Sequence, residues 1–245
     1  MIESDSMEWR GGLGRNLTYG LLDTLGRSVV IGAYDEKPFP TEAELAKQHG
    51  VSRSVTREAV KMLTAKGLLS ARPRQGTSVQ PRSQWNLFDT DVLRWLLERK
   101  FSVELLRDFN ELRVAIEPEA AALAARRASA QELAAISAGL VRMEAAAQGL
   151  DDALNADIAF HVAVLRGSGN PFYAQFRDVV ATALRTSIRF TNRIKGHAAS
   201  IADHAAVRDA IVARDPEQAR FAMRRIIGEV LELIHTAGPG AEPLD

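Results

Sequence analysis

Asp157 and His161 are four residues apart in a stretch that reads as a helix, so their side chains project from the same helical face. A carboxylate and an imidazole on one face form a two-ligand platform for a divalent metal, and both ligand types suit Zn²⁺. His204, which lies on a helix two further along the chain, is a candidate third ligand. For the pair Asp157 and His161 alone, an ordinary ion pair or a core histidine is the alternative.

Arg113 is a second candidate functional residue, because it is a charged residue in a predicted helix otherwise rich in Leu, Val, Ile and Ala. A guanidinium pairs bidentately with a carboxylate, so Arg113 is a candidate for binding an acidic ligand. The alternative is a side chain that runs along an apolar surface and ends in solvent. Asn155 precedes the face of Asp157 and could donate a hydrogen bond to a ligand hydroxyl.

A third group of polar residues lies at the start of a helix in the stretch Gly50–Thr77, GVSRSVTREAVKMLTAKGLLSARPRQGT. Ser52 is its predicted N-cap and Gly67 its predicted C′ residue. Apolar residues recur every three or four positions, at Val55, Ala59, Met62 and Leu63. Side chains that can reach base edges or phosphates crowd the first turn and a half: Arg53, Ser54, Thr56 and Arg57.

The segments on either side of this helix strengthen a DNA-binding interpretation. Thr41 and Glu44 form a capping box for a short helix over Glu42–His49, and a turn at Gly50 leads into the next helix. Helix, glycine turn and helix is the helix-turn-helix pattern. Two short strands should follow, over Leu68–Arg72 and Thr77–Gln80, joined by a glycine-containing turn. Beyond the helix itself, the predicted DNA contacts include Thr41, Ser52, Arg72 and Arg74.

The charge distribution agrees with a local DNA-binding surface. Formal net charge is zero over 245 residues, but Pro40–Arg82 carries eight Lys and Arg against three acidic residues. The chain has no cysteine, which excludes disulfides and thiolate metal sites. No apolar run approaches the roughly 18 residues of a membrane-spanning helix, and the polar N-terminus does not resemble a signal peptide. We therefore expect a cytoplasmic protein with no membrane contact.

The predicted fold is mainly α, with two domains. We expect a mobile segment over 1–15, a winged helix-turn-helix over 16–80 (helices with a small β-hairpin) and a linker over 81–87. An all-α antiparallel bundle should span 88–237, followed by a disordered tail over 238–245. Its helices are predicted from caps and periodicity, roughly over 90–99, 102–127, 129–148, 151–168, 170–193, 200–213 and 216–237. Pro118 should kink or split the second of them.

The run FPTEAELAKQHGVSRSVTREAVKMLTAKGLLSARPRQGTSV closely resembles the winged helix-turn-helix of the GntR family of bacterial repressors. The remainder resembles the FadR-type branch of that family, whose effector domain is the all-helical FCD domain. PRSQWNLFDTDVLRWLLE and ADIAFHVAVL are most similar to regulators of sugar-acid catabolism, of the galactonate-responsive type. The resemblance implies DNA contacts from Arg53, Ser54, Arg57, Gln75, Gly76 and Thr77. Ala43 departs from the pattern, because some members carry a DNA-contacting arginine there.

The same resemblance implies ligand sites in the helical domain. It makes Asp157, His161 and His204 ligands of a divalent metal, Zn²⁺ being the first candidate, and it places Arg113 in the effector cavity. A fourth metal ligand, a histidine in the last helix of related domains, falls near Ile226, which is apolar. An effector oxygen or a water would have to complete the metal shell.

Three functions remain open at this level. The leading hypothesis is a homodimeric repressor that binds a pseudo-palindromic double-stranded operator and is released by a small carboxylate, such as an aldonic acid. Its effector-binding residues would be Arg113, Asn155, Asp157, His161 and His204. The alternative is a metal-dependent enzyme, because two histidines and a carboxylate also hold iron in oxygenases. No nucleophile elbow or phosphate-binding glycine motif supports the enzyme. A scaffold module without effector is the third possibility.

Overall fold

The computed structural model describes the backbone of residues 5–72, 76–99, 103–185 and 200–236, with side chains from Asn16 onward. The chain forms two compact units, Met1–Lys100 (unit 1) and Phe101–Asp245 (unit 2). The described part of unit 1 contains four α-helices, one short 3₁₀ helix and a hairpin, whereas the described part of unit 2 is helical. The mainly α fold class predicted from the sequence is confirmed.

Unit 1 begins with a long helix, α1, over Asp5–Val30. It starts well inside the segment that the sequence predicted to be mobile. The short helix α2 follows over Glu42–His49, with the predicted capping box of Thr41 and Glu44. Gly50 ends α2 at φ 63°, in the left-handed region that glycine adopts without steric cost.

The second helix of the pair is α3, over Arg53–Ala65, capped by the side chain of Ser52. Gly67 follows at φ 79°, which confirms the predicted C′ position. The hairpin consists of β1, Leu69–Arg72, and β2, Gly76–Val79, paired antiparallel from Leu69–Val79 to Arg72–Gly76. A single turn of 3₁₀ helix over Arg82–Gln84 then leads to α4, Thr90–Arg99.

Helix α4 belongs to unit 1, whereas the sequence assigned it to the effector domain. Trp95 of α4 is 1% exposed in a core shared with Leu22, Leu25 and Leu63. Its indole Nε1 donates to Asp23 Oδ1 of α1 at 2.7 Å, and Arg94 Nη2 donates to the same oxygen at 2.8 Å. The unit boundary therefore follows Lys100, and the amphipathic pattern of α4 could not show which of its neighbours it would cover.

Unit 2 is built around α5, over Val103–Arg127, which packs against α7, α10 and α11. The bounds of the next helices are Ala130–Ala147 for α6 and Ala153–Gly167 for α7. Helix α10 spans Ile201–Val212 and α11 spans Pro216–Thr236. Pro118 is buried inside α5 and does not split it.

One helix of unit 2 differs from the prediction. The segment predicted as one helix from Pro171 onward is interrupted at Phe176, which ends α8, Pro171–Gln175. The chain is helical again over 177–185 (α9), up to the next gap in the described residues. The predicted end near Arg193 lies outside the described residues.

Small residues let the helices of unit 2 approach closely. A Cβ at Gly139 of α6 would lie 2.9 Å from the Cα of Phe160 in α7. The alanines of α5 between Ala120 and Ala125 are similarly buried against neighbouring helices. Because α7 lies between α5 and α6, the face of α7 that carries Asp157 and His161 is directed into the interior.

Candidate functional site

The N-terminal turns of α3 present polar side chains to solvent in unit 1. Arg53, Ser54 and Arg57 are exposed, as are the caps Ser52 and Thr41. The first turn of α3 contains no acidic residue, and the exposed guanidinium groups of Arg53 and Arg57 lie on its first two turns. This arrangement suits a phosphate backbone and base edges.

Two of the predicted DNA contacts are constrained by neighbours. Thr56 is fully buried, and its Oγ1 donates to the carbonyl oxygen of Ser52 at 3.2 Å. The side chain of Thr56, which the sequence predicted to contact DNA, thus lies inside the first turn and is not exposed as its neighbours are. Arg57 Nε donates to Glu42 Oε2 of α2 at 3.3 Å, an exposed ion pair that leaves other donors of Arg57 free.

The hairpin supplies the second part of the predicted surface. Arg72 and Gly76 are exposed at its turn end, and Thr77 is half-buried. Gly76 has φ 83°, so the turn requires the left-handed conformation there. Arg74 and Gln75 lie outside the described residues.

Six of the buried polar side chains of unit 2 lie together, and we call them the buried polar group. They come from three helices, and each is at most 5% exposed: Asn110, Arg113 and Glu117 of α5, Asp157 and His161 of α7, and His204 of α10. The imidazole Nε2 of His204 lies 3.0 Å from Asp157 Oδ1, and that of His161 lies 3.5 Å from the same oxygen. The metal triad predicted from the sequence is therefore brought together, with its ligand atoms within 4.8 Å of one another.

When both imidazole rings are neutral, the proton positions in this group leave three lone pairs facing each other. His204 Nδ1 lies 2.7 Å from the carbonyl oxygen of Ser200, which only accepts, so Nδ1 is the donor. His161 Nδ1 lies 2.5 Å from Glu117 Oε2, which as a carboxylate also only accepts. In the neutral rings both Nε2 atoms are therefore acceptors, and both are directed at a carboxylate oxygen.

Such a convergence of acceptors fits a cation. Asp157 Oδ1 and His204 Nε2 make no hydrogen bond within the described part of the chain, although both are buried. Unpaired buried polar atoms are costly, and a divalent metal would satisfy both. The separations of 3.0 and 3.5 Å bracket the roughly 3.3 Å expected between ligands of a tetrahedral zinc site. The residues present therefore fit a divalent metal.

Arg113 does not extend to solvent. It is 3% exposed, its Nε donates to Glu117 Oε1 at 2.5 Å, and its Nη1 donates to Asn110 Oδ1 at 3.2 Å. Its Nη2 lies 3.5 Å from His161 Nε2, on the side of the imidazole that faces Asp157. A guanidinium with remaining N–H donors thus borders the candidate metal site.

The sequence did not single out Glu117 or Asn110. Their spacing could have indicated them, because positions 110, 113 and 117 are separated by three and then four residues and therefore share one face of α5. Asn155, by contrast, was predicted to bind an effector and is not part of the group. It is exposed near the start of α7, where its Oδ1 accepts from Arg185 Nη1 at 3.1 Å.

The charges inside the group are strongly coupled. Burial alone would raise the pKa of Glu117, but Arg113 and His161 outweigh it and lower that pKa to about 2. Burial likewise opposes ionisation of Asp157, yet His161 and His204 hold its pKa well below the ordinary value. For His161, burial lowers the pKa, whereas Glu117 and Asp157 raise it to about 9. Both carboxylates are thus ionised at neutral pH.

Comparison with known proteins places both sites in recognised domains. The family model described as bacterial regulatory proteins, gntR family, matches residues 35–79, and the FCD domain matches residues 108–229. The galactonate operon transcriptional repressor of Escherichia coli is 36% identical over 217 residues, covering 86% of this chain and 94% of its own. This chain belongs to the GntR family of bacterial transcriptional regulators.

Two further relatives from Escherichia coli support the same family. An uncharacterized HTH-type transcriptional regulator, YieP, is 32% identical and covers 87% of this chain and 93% of its own length. A putative L-lactate dehydrogenase operon regulatory protein is also 32% identical, with coverages of 75% and 72%. The protein is thus a DNA-binding regulator of the GntR family with an FCD domain, and the enzyme alternative is not supported.

The FCD match contains the whole buried polar group, and the gntR match contains α2, α3 and the hairpin. Ile226, at the position of the expected fourth ligand, is an apolar side chain of α11 and only 9% exposed. Within the described residues, the group that could hold a metal is therefore the three-residue set without a ligand from α11. No described helix is both long and apolar enough to cross a membrane.

Proposed function

We propose that this GntR-family regulator is a homodimeric repressor of a sugar-acid catabolic operon, released from its operator by a small hydroxy-acid. The observation that carries the effector half of the proposal is the buried polar group of unit 2. A solvent-excluded arrangement of two carboxylates, two imidazoles and a guanidinium is expensive to maintain without a ligand function.

The DNA half of the proposal rests on the exposed start of α3. We propose that this end of α3 enters the major groove, with Arg53 and Arg57 directed at bases or phosphates and Ser54 beside them. The exposed end of the hairpin, including Arg72 and Gly76, would contact the backbone alongside. Arg57 would exchange its exposed contact with Glu42 for the nucleic acid, at small cost because such ion pairs contribute about 0–1 kcal/mol.

Operator binding by an Arg57→Ala variant tests this assignment. Loss of a guanine contact should cost about 1–3 kcal/mol and relax specificity at one base pair. Loss of a phosphate contact should weaken all sequences equally and reduce the salt slope by about one. Arg107→Ala is the control, because it removes the same charge from an exposed position in unit 2. Operator affinity unchanged by both Arg53→Ala and Arg57→Ala would rule out α3 as the recognition helix.

The effector would bind at the buried polar group. Asp157, His161 and His204 would hold a divalent metal, with Zn²⁺ the first candidate because its usual ligands are carboxylate and imidazole. When bound, the metal would supply a Lewis-acidic position for a carboxylate or hydroxyl oxygen of the effector. Arg113 would donate to a second oxygen of that ligand, through the N–H groups that do not face Glu117 or Asn110.

An aldonic acid is the proposed effector class. A hydroxyl next to a carboxylate presents two oxygens to one cationic site, and a sugar-sized chain adds further hydroxyls for specificity. Galactonate is the first candidate, because the repressor that is 36% identical to this chain is named for the galactonate operon. The ligand can shift DNA binding only by its differential affinity for two states of the protein. Coupling of about 1–3 kcal/mol would weaken operator binding about 5- to 150-fold.

Calorimetric titration with a panel of aldonic acids tests the effector site. Wild type should bind one member of the panel, and a chelator should weaken that binding. Arg113→Ala and His204→Ala should both lose affinity, whereas Arg142→Ala, which removes an exposed guanidinium paired with Asp151, should not. Equal binding by all four proteins, indifferent to chelator, would show that the effector binds elsewhere.

The homodimer is proposed because one winged helix-turn-helix reads only a half-site. A pseudo-palindromic operator then requires two copies related by a two-fold axis. Sedimentation at micromolar concentration should therefore show a dimer, and operator binding should saturate at two chains per site. A monomer that binds the complete operator with full affinity would contradict this part of the proposal.

A further inference from the structure

Glu117 contacts both His161, a candidate metal ligand, and Arg113, the candidate effector-binding residue. It is 1% exposed, and both of its carboxylate oxygens accept hydrogen bonds. Oε1 accepts from Arg113 Nε at 2.5 Å, within α5, and Oε2 accepts from His161 Nδ1 at 2.5 Å, across to α7, and more distantly from Arg113 Nη2 at 3.5 Å. One side chain therefore contacts both a candidate metal ligand and the candidate effector-binding guanidinium.

The contact with His161 decides which ring nitrogen is available to a metal. A carboxylate cannot donate, so the imidazole proton lies on Nδ1 and the lone pair of the neutral ring lies on Nε2. Nε2 is the atom directed at Asp157 Oδ1 and at Arg113 Nη2. Outer carboxylates that accept from a ligating histidine are a common device for fixing tautomer and ring orientation.

The hydrogen bond from Arg113 to Glu117 likewise orients the guanidinium of Arg113. With Nε held by Glu117 and Nη1 by Asn110, the guanidinium plane is fixed and Nη2 is directed toward His161. An ion pair between residues four apart on one helix is often only a local support. This pair differs because it is buried and because the same Glu117 carboxylate also accepts a hydrogen bond from His161 on α7.

We propose that Glu117 is a positioning residue that aligns His161 for metal binding and Arg113 for carboxylate binding, so that the two binding events are coupled through one side chain. This inference rests on the proposed function of the buried polar group. Its chemical basis is that a carboxylate accepts at both oxygens, whereas an amide accepts at only one. Glutamine at position 117 could serve Arg113 or His161, but not both.

Zn²⁺ binding to the full-length protein, measured by competition with a chromophoric chelator, tests the proposal without any effector. Glu117→Gln should bind Zn²⁺ about 10- to 100-fold more weakly than wild type, as is usual for loss of an outer partner. Glu119→Gln is the control, because Glu119 lies on the same helix and pairs with Arg220. It should leave Zn²⁺ affinity unchanged, and Glu117→Asp, which keeps the charge, should recover part of the loss.

The tautomer of His161 gives a readout that a purely structural role would not affect. Nitrogen NMR of the zinc-loaded wild type should show the His161 proton on Nδ1, with assignment among the five histidines by comparison with His161→Gln. Glu117→Gln should shift the ring toward the other tautomer. If the variant does not fold, the wild-type spectrum still decides, because a proton on Nε2 would overturn the proposal.

The outcomes separate this inference from the proposed function. Wild type that binds Zn²⁺ while Glu117→Gln binds it equally well would refute the positioning role and leave the metal site intact. Wild type without measurable Zn²⁺ affinity would overturn both. Weakened Zn²⁺ binding in Glu117→Gln, normal binding in Glu119→Gln and a displaced His161 proton would support the coupling.

Discussion

At the scale of single residues, the arrangement around Asp157 is governed by acceptors that face one another. Its Oδ1 lies 3.0 Å from His204 Nε2 without forming a hydrogen bond to it. A proton or a metal ion between such atoms removes the repulsion, and the two must compete for the same position. The competition makes metal binding dependent on pH.

We therefore predict that metal uptake releases a proton from His161. Two carboxylates raise the pKa of His161 to about 9 despite its burial, so the metal-free ring is protonated at neutral pH. Zn²⁺ affinity should rise about tenfold per pH unit and level off above about pH 9. Calorimetry near pH 7 in buffers of different ionisation enthalpy should report about one proton released per metal. Affinity that is constant between about pH 6 and 8 would contradict the assignment.

The raised pKa also has a consequence for the metal-free fold. Because the folded value of about 9 lies above the ordinary 6.5, protonated His161 stabilises the fold fully below about pH 6.5. That contribution is lost as the pH rises through about 9. Bound metal should remove this dependence, since the ring is then neutral in the folded protein.

The sequence predicted part of this site for a physical reason. Asp157 and His161 lie on one helix, where spacing alone establishes a shared face. His204 needed a resemblance as well, since it lies on another helix, and Glu117 was missed. In ELRVAIEPEA it reads as one polar residue before a proline, and its role depends on α5 packing against α7, which spacing within α5 does not reveal.

At the scale of elements, α1 and α4 pack closely against each other within unit 1. Gly26 of α1 faces the indole of Trp95, and a Cβ at position 26 would lie 2.3–2.6 Å from three ring carbons. Real Cβ atoms do not come that close to another carbon, so either the helix or the indole would have to move. Gly20, on the same helix, has no atom within 4 Å of its would-be Cβ.

The substitution Gly26→Ala should accordingly destabilise unit 1. Overpacking of a core costs about 1–3 kcal/mol, in excess of the small gain in helix propensity from alanine. Gly20→Ala should have no such cost and should stabilise slightly, by up to about 1 kcal/mol. Denaturant unfolding of the two variants measures the difference. Equal stability of Gly26→Ala and Gly20→Ala would mean that Trp95 is not packed against α1.

Several helix starts followed from caps that the sequence predicted, although α7 is capped by Asp152 and not by Asp151. The caps at Thr41, Ser52 and Ser129 all accept the backbone N–H expected of them. The break at Phe176 was not predicted, because no proline or glycine marks it and the helix resumes one residue later. Local chemistry thus determined the starts of these helices, whereas the interruption at Phe176 has no such local signal.

At the scale of the whole molecule, the sequence and the structure place the unit boundary differently. The sequence assigned Phe88 onward to the effector domain, since the linker Pro81–Asn86 looks like a natural division. In the structure, Val92 and Trp95 of α4 complete the core under α3, and Lys66 at the end of α3 pairs with Asp89 and Asp91. Helix periodicity shows that α4 has an apolar face, but not which surface it covers.

Two N-terminal fragments distinguish these boundaries. A fragment over 1–100 should unfold cooperatively and bind a single half-site weakly, because it keeps the complete core of unit 1. A fragment over 1–87 lacks Trp95, whose removal from a core alone costs about 3–5 kcal/mol, and also the contacts of Arg94 and Trp95 with Asp23. That loss is a large part of the stability of a small domain, so the shorter fragment should be largely unfolded at 25 °C. Circular dichroism melts of both fragments measure this, and equal melting temperatures would show that α4 contributes nothing to the DNA-binding unit.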